Sequence, residues 1–263
     1  MTTLTNDALL AVADRLGVQT LPLALEVGHR QDSYDAWRRA QEQAVAGLVE
    51  DGLLAADGEV DPDLAAAMFV LSQPDRELTA RVYTEQDRRR VCVTRRGDAH
   101  AVAVRSGDSF DVTTVWCDGS AEELVRPLLS ALGRHEPAQV AGFSAPADEL
   151  AQRLNSPGTS SEFADSLYAM GVADRDATVL GLAFASCTAY TEIVAYTHLD
   201  GATTRAPGAV AVYDTGRGRI VAAPMVSPDR RIWSTVTTGT DHRVTQAVAT
   251  LIEGLPGGRW MPP

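Results

Sequence analysis

The chain has 263 residues, 45% hydrophobic and 22% charged, an ordinary balance for a globular protein long enough for a sizeable core and one or two domains. Its formal net charge of −12 and pI near 4.8 argue against nucleic acid or an anionic membrane as the main partner, and keep the chain soluble. All 23 basic residues are Arg, a compositional mark of GC-rich coding.

The start, Met1 to Asp7, carries no basic stretch followed by an apolar core, and no later apolar run is long enough for a bilayer. The expected location is therefore the cytoplasm, without membrane insertion. Thr5-Asn6-Asp7 supplies N-cap candidates for a first helix to about Leu16, ended by Gly17. Thr20 to Val27 is a short apolar stretch that reads as a strand despite Pro22. A second helix runs from Ser33 or Asp35 to about Glu50, with Trp37, Ala40, Ala44 and Leu48 at helical spacing. Asp61-Pro62 opens a third, with Pro at the first helical position, where its missing N–H costs nothing.

Strands follow: Glu77 to Thr84, Arg90 to Thr94, His100 to Arg105 and Phe110 to Trp116. The connections are too short for parallel crossovers, so this is an antiparallel meander. Ser120 and Glu123 form a capping box for a helix to about Leu132. Beyond a junction between Gly133 and Ser144, helices at Pro146 to Leu154 and Ser161 to Met170 precede Asp174 to Ser186. Strands then fall at Ala189 to Thr197, Gly208 to Asp214, Arg219 to Ala223 and Arg231 to Thr237. Thr240 caps a last helix to about Glu253. Glu85 to Asp87 and His198 to Pro207 are expected to be mobile, and the tail from Pro256 to Pro263 to fray unless Trp260 docks.

The order repeats. Asp61 to Ser72 followed by Arg76 to Ala80 corresponds to Asp174 to Ser186 followed by Thr191 to Ala195. Ser120 and Thr240 occupy equivalent caps. A unit present only twice points to pseudo-twofold halves and not to a solenoid. The expected fold is α/β in the α+β sense, each half an antiparallel meander flanked by helices, the two merging into one central antiparallel sheet. The halves are residues 1–140 and 141–263 of one continuous structural domain.

The catalytic inventory is thin. His29, His100, His135, His198 and His242 lie in no metal-ligand spacing, and Cys92, Cys117 and Cys187 in no CxxC. Odd in number, the cysteines read as reduced, mostly buried thiols. Gly142-Phe-Ser144-Ala-Pro146 lacks the second glycine of a nucleophile elbow. Gly216-Arg-Gly218-Arg219 leads into a strand, so it is a hairpin turn and no phosphate loop. The carboxylate pairs Asp61/Asp63 and Asp174/Asp176 sit where acidic residues cap helices. Arg88-Arg89-Arg90 reads as a charged guard on a sheet. No nucleophile and base are paired, so no enzyme and no cofactor are expected. On these grounds alone the chain is a two-lobed binding domain.

Two blocks carry a resemblance. One is Gly52 to Ala67; the other joins Arg217 to Ile220, Ser227 to Thr235, Gly239-Thr240-Asp241 and the last helix. Together, and with element order kept from Leu4 to about Trp260, they are similar to the EspG family, cytosolic chaperones of type VII (ESX) secretion in actinobacteria. The resemblance implies a quasi-twofold fold, no catalysis, and a partner: the apolar tip of a PPE protein paired with a PE protein, masked until export. A monomer or weak homodimer is expected when the chain is free of its partner. Partner contacts are expected on outward strand faces and turns, at Arg81, Arg105, Asp214, Arg217, Arg219 and Trp233. The alternative is a small-molecule-binding regulatory or sensor domain using the cleft between the halves.

Overall fold

The computed structural model describes residues 1–155 and 158–262. Within them, four helices and five strands of the first half are β1 (Thr2–Thr5), α1 (Asn6–Arg15), α2 (Tyr34–Glu50), α3 (Pro62–Ser72), β2 (Arg76–Thr84), β3 (Arg88–Arg96), β4 (Ala99–Ser106), β5 (Ser109–Val115) and α4 (Ala121–Leu132). The rest are β6 (Phe143–Pro146), α5 (Ala147–Leu154), α6 (Ser160–Ala169), α7 (Asp174–Phe184), β7 (Cys187–Leu199), β8 (Ala202–Arg205), β9 (Val210–Thr215), β10 (Gly218–Val226), β11 (Ile232–Thr238) and α8 (Asp241–Glu253). The caps are those the sequence indicates: Thr5, Ser33, Asp61, Ser120 and Thr240 side chains each accept a first-turn backbone N–H. At α7 the cap is Ala173, so Asp174 and Asp176 act there through the helix dipole alone.

All strands join one 11-stranded antiparallel sheet in the order β1-β5-β4-β3-β2-β7-β9-β10-β11-β6, with β8 extending the column beside β7. The repeat explains the order. Its two equivalent first strands, β2 and β7, pair antiparallel at the centre, Leu78 opposite Ala195 and Ala80 opposite Ile193. Leu78 corresponds to Ile193 and Ala80 to Ala195 in the repeat, so the pairing is its own twofold image about Thr79 and Val194. Each half then adds its meander outward and ends on its own short first strand.

One sheet face is covered by α4 and α8 side by side. Leu124, Val125 and Leu128 of α4 and Val244, Val248 and Leu251 of α8 bury against Leu78, Val91, Ile193 and Val221 from both halves, which makes one core of the two. The opposite face carries two separate layers. Helices α1–α3 pack over Cys92, Ala103, Phe110 and Val112, and α5–α7 over Ile220, Ala222 and Val236. Gly181 allows the α6–α7 approach, since a Cβ there would lie 2.5 Å from the Ser160 carbonyl.

The structure corrects two expectations and adds two strands. Thr20 to Val27 is no strand: Pro22 cannot donate to a ladder, and a 3-10 turn at Leu23–Leu25 ends on Glu26 at φ 48°. His198 to Pro207 is largely ordered: β7 turns through Asp200 and Gly201, both at positive φ, into β8. The edge strands β1 and β6, four residues each, carry no alternation that identifies them and are set by pairing with β5 and β11. The cysteines are free and mostly buried, as expected: Cys92 and Cys117 are buried and Cys187 is exposed. The tail does dock: Trp260 is 2% exposed. Pro263 lies outside the described residues.

Candidate functional site between the two helical layers

On the face where the helices form two layers, the side chains of β2 and β7 line a polar floor between them. The alternation that sends Leu78 and Ala80 toward α4 and α8 sends Glu77, Thr79, Arg81 and Tyr83 the other way. From β7 come Tyr190, Glu192, Val194, Tyr196 and His198. At one end the floor meets the 3-10 turn. There Pro22, Leu23, Ser72, Glu77, Arg81 and His198 are among the residues around a pocket of about 340 Å³. Leu23 stands 91% exposed at its rim, an apolar side chain with no protein cover.

The charged groups of the floor are mutually paired. His198 Nε2 lies 3.0 Å from Glu77 Oε2 and its Nδ1 3.0 Å from Thr203 Oγ1. Arg81 donates to Glu192 at 3.3 Å, and Arg205 donates to the second oxygen of the same carboxylate at 3.4 Å. Glu77 and Glu192 are equivalents in the repeat, so two carboxylates flank the twofold axis, one met by an imidazole and one by two guanidinium groups. Thr79 is fully buried and its hydroxyl has no partner. At the other end, Tyr83 stacks on Tyr190 at 6.1 Å between centroids, and Tyr190 and Phe184 both meet Tyr213 at 5.2 Å. Burial, with Glu192 and Tyr83 nearby, pushes the Tyr190 phenol up to about 12, so it stays a neutral hydrogen-bonding group at physiological pH. The arrangement can grip an apolar surface flanked by polar groups. It holds no nucleophile aligned with a base and an oxyanion site, and among the described residues no three His, Cys, Asp or Glu groups could hold a metal ion.

The six residues singled out in the sequence do not share one surface. Arg81 lies on this floor. Arg105 is half-buried, donates to the Leu25, Glu26 and Gly107 carbonyls and sits over the Phe110 ring, holding the 3-10 turn in place. Arg217 is exposed in the β9–β10 turn. Trp233 is half-buried on the α8 side with Arg231 over its ring. Arg219 is a correction. It is fully buried, bonded twice to Asp214 at 2.6 and 2.9 Å and to the Leu132 and Gly133 carbonyls that end α4. Asp214 is 9% exposed. An Arg in an alternating strand next to a turn reads as outward; here its face is the one that α4 covers. Tyr190, Glu192, Tyr196 and His198 were not singled out, and the signal for them was their alternation along the strand that repeats Glu77 to Thr84.

Among the described residues no helix is long and apolar enough to cross a membrane. Residues 5–250 match the EspG family. The chain is 31% identical over 262 residues to the ESX-1 secretion-associated protein EspG1 of Mycobacterium tuberculosis, covering 98% of this chain and 88% of that protein. It is 28% identical to the ESX-3 secretion-associated protein EspG3 of the same species, over 98% of this chain and 92% of that one. Its fold superposes with a TM-score of 0.80, at 22% identity and 98% coverage of both chains, on the M. tuberculosis type VII secretion system chaperone EspG5, solved in complex with a PE25–PPE41 dimer. A match spanning both repeats, in a sheet built on their twofold pairing, leaves one assignment: the chain belongs to the EspG family.

Proposed function

We propose that this protein is a cytoplasmic chaperone of type VII secretion that binds the PPE member of a PE–PPE pair and keeps it soluble for export, without catalysis. The observation that carries this reading is the whole-length likeness in fold to EspG5, a chaperone solved on a PE25–PPE41 dimer. We place the contact on the floor between the helical layers, with Leu23 as an apolar anchor and Arg81, Glu192, Tyr190 and Tyr196 as its polar and aromatic surround. An apolar helical tip aggregates when bare, and an apolar centre with a polar rim is what masks it. Arg217 and Trp233 stand apart from this floor, and Arg219 and Asp214 act from within the fold. We also take residues 1–140 and 141–263 as halves of one domain, because α4 and α8 share a core.

The test is co-expression with PE–PPE pairs from the same genome, read by soluble yield and by mass in size exclusion. A 1:1:1 complex with rescued PPE solubility supports the chaperone reading and identifies the client. No complex with any pair sinks it, and moves the roughly 340 Å³ pocket beside Glu77 and His198 to the front as a small-molecule site.

A further inference from the structure

The two halves are tied by two chain segments that occupy equivalent places. After α4, the connection crosses to the other half, where Ala138 N donates to the Arg219 carbonyl and Arg219 N to the Glu136 carbonyl. After α8, the tail crosses back: Arg76 on β2 donates to the Pro256 carbonyl at 2.8 Å, Met261 lies against Gly119, and Trp260 enters the shared core. The residue under each crossing sits at the same register, one pair inside a two-residue turn: Arg219 opposite Asp214, His100 opposite Arg95. The first crossing rests on an Arg held by a carboxylate. The second rests on a histidine.

Trp260 Nε1 lies 3.0 Å from His100 Nε2, with both residues 2% exposed. An indole N–H only donates, so this bond exists only while Nε2 is bare. His100 Nδ1 lies 3.2 Å from the Asp98 carbonyl, which only accepts, so Nδ1 carries the ring's one proton. The two contacts together specify a neutral imidazole and its tautomer. A second proton would set N–H against N–H between two side chains that are both buried. We propose that the segment Gly254–Met261 is a strap whose hold on the first half is locked by neutral His100 and released by its protonation.

The charged groups around the lock favour this. Arg95 on β3 is itself buried, with Nη2 3.7 Å from Asp75 Oδ2, and Asp98 lies in the turn; β5 presents Val115, and β2 adds Arg76. Burial lowers the His100 pKa from its ordinary 6.5; the bond to the Asp98 carbonyl raises it, Arg95 lowers it further, and the Asp98 carboxylate opposes, with a net downward shift. A histidine with a depressed pKa in the locked state leaves the lock complete above about 6.5, and the lock weakens as pH falls below that value.

The test follows the Trp260 indole N–H by hydrogen exchange in full-length protein labelled with nitrogen-15 at tryptophan, assigned through Trp260→Phe. With intrinsic exchange corrected for, the protection factor should be flat from pH 8 to about 6.5 and then fall by up to ~10-fold per pH unit, one proton's linkage. In His100→Gln, which keeps an acceptor and cannot titrate, it should be flat throughout. Unchanged wild-type protection down to pH 5, or a parallel fall in His100→Gln, overturns the proposal. Should His100→Gln not fold, Trp260→Phe keeps the ring and removes the donor. Proteolytic cleavage within the strap should then vary less with pH than in wild type, because the bond that protonation breaks is gone, and an undiminished dependence would equally overturn it.

Discussion

Asp214→Ala separates a structural Arg219 from a partner-facing one. The guanidinium is fully buried and loses its two short bonds to Asp214, keeping only the two carbonyls that end α4. Asp241 is the nearest remaining carboxylate, 3.9 Å away and largely exposed, so it offers weak replacement. Gly239 packs closely on Arg219, where an added Cβ would fall 2.5 Å from its Cγ. Breaking one side of a buried pair costs about 3–5 kcal/mol, and the surviving carbonyls place this case near ~3 kcal/mol. Arg219→Met should cost less, about 2 kcal/mol, because the Asp214 side chain is 12% exposed and can reach water. The double change Asp214→Leu with Arg219→Met should return to within about 1 kcal/mol of wild type. Urea unfolding followed by circular dichroism measures all three. A single-variant loss below ~1 kcal/mol, with an unchanged slope, would refute the structural assignment of the pair.

Four further outcomes follow from other parts of the molecule. Leu23→Asp should leave the unfolding midpoint within about 0.5 kcal/mol of wild type, yet weaken client capture in the co-expression pull-down at least tenfold, since Leu23 is 91% exposed beside the pocket. Gly218→Ala should cost about 2 kcal/mol or more in urea unfolding, because Gly218 sits at φ 110° and a Cβ would fall 2.6 Å from Ala138 N. Gly181→Leu should separate α6 from α7 and cost about 1–3 kcal/mol, read by thermal unfolding. Trp260→Ala should cost about 3–5 kcal/mol by the same measurement, the range for a large aromatic removed from a core. A value near zero would mean the tail is not docked in solution.

The sequence by itself determined the local elements and their duplication. Caps at Thr5, Ser33, Asp61, Ser120 and Thr240 depend on contacts within one helical turn, and alternation in Glu77 to Thr84 depends on neighbours two residues apart; such short-range physics is legible in a string. Two copies of the same order also implied twofold halves in one sheet, because equivalent strands pair antiparallel with themselves most simply. What the tertiary structure alone decided was which side of the sheet each residue faces and what covers it. Alternation sorts residues into two faces without saying which face a helix caps, so Arg219 read as outward and lies fully buried under the end of α4. Pairing over long distances set β1 and β6, whose four residues carry no period of their own. The candidate floor is likewise tertiary: Glu77 and His198, or Arg81 and Glu192, stand more than a hundred residues apart and meet only because β2 and β7 pair at the axis.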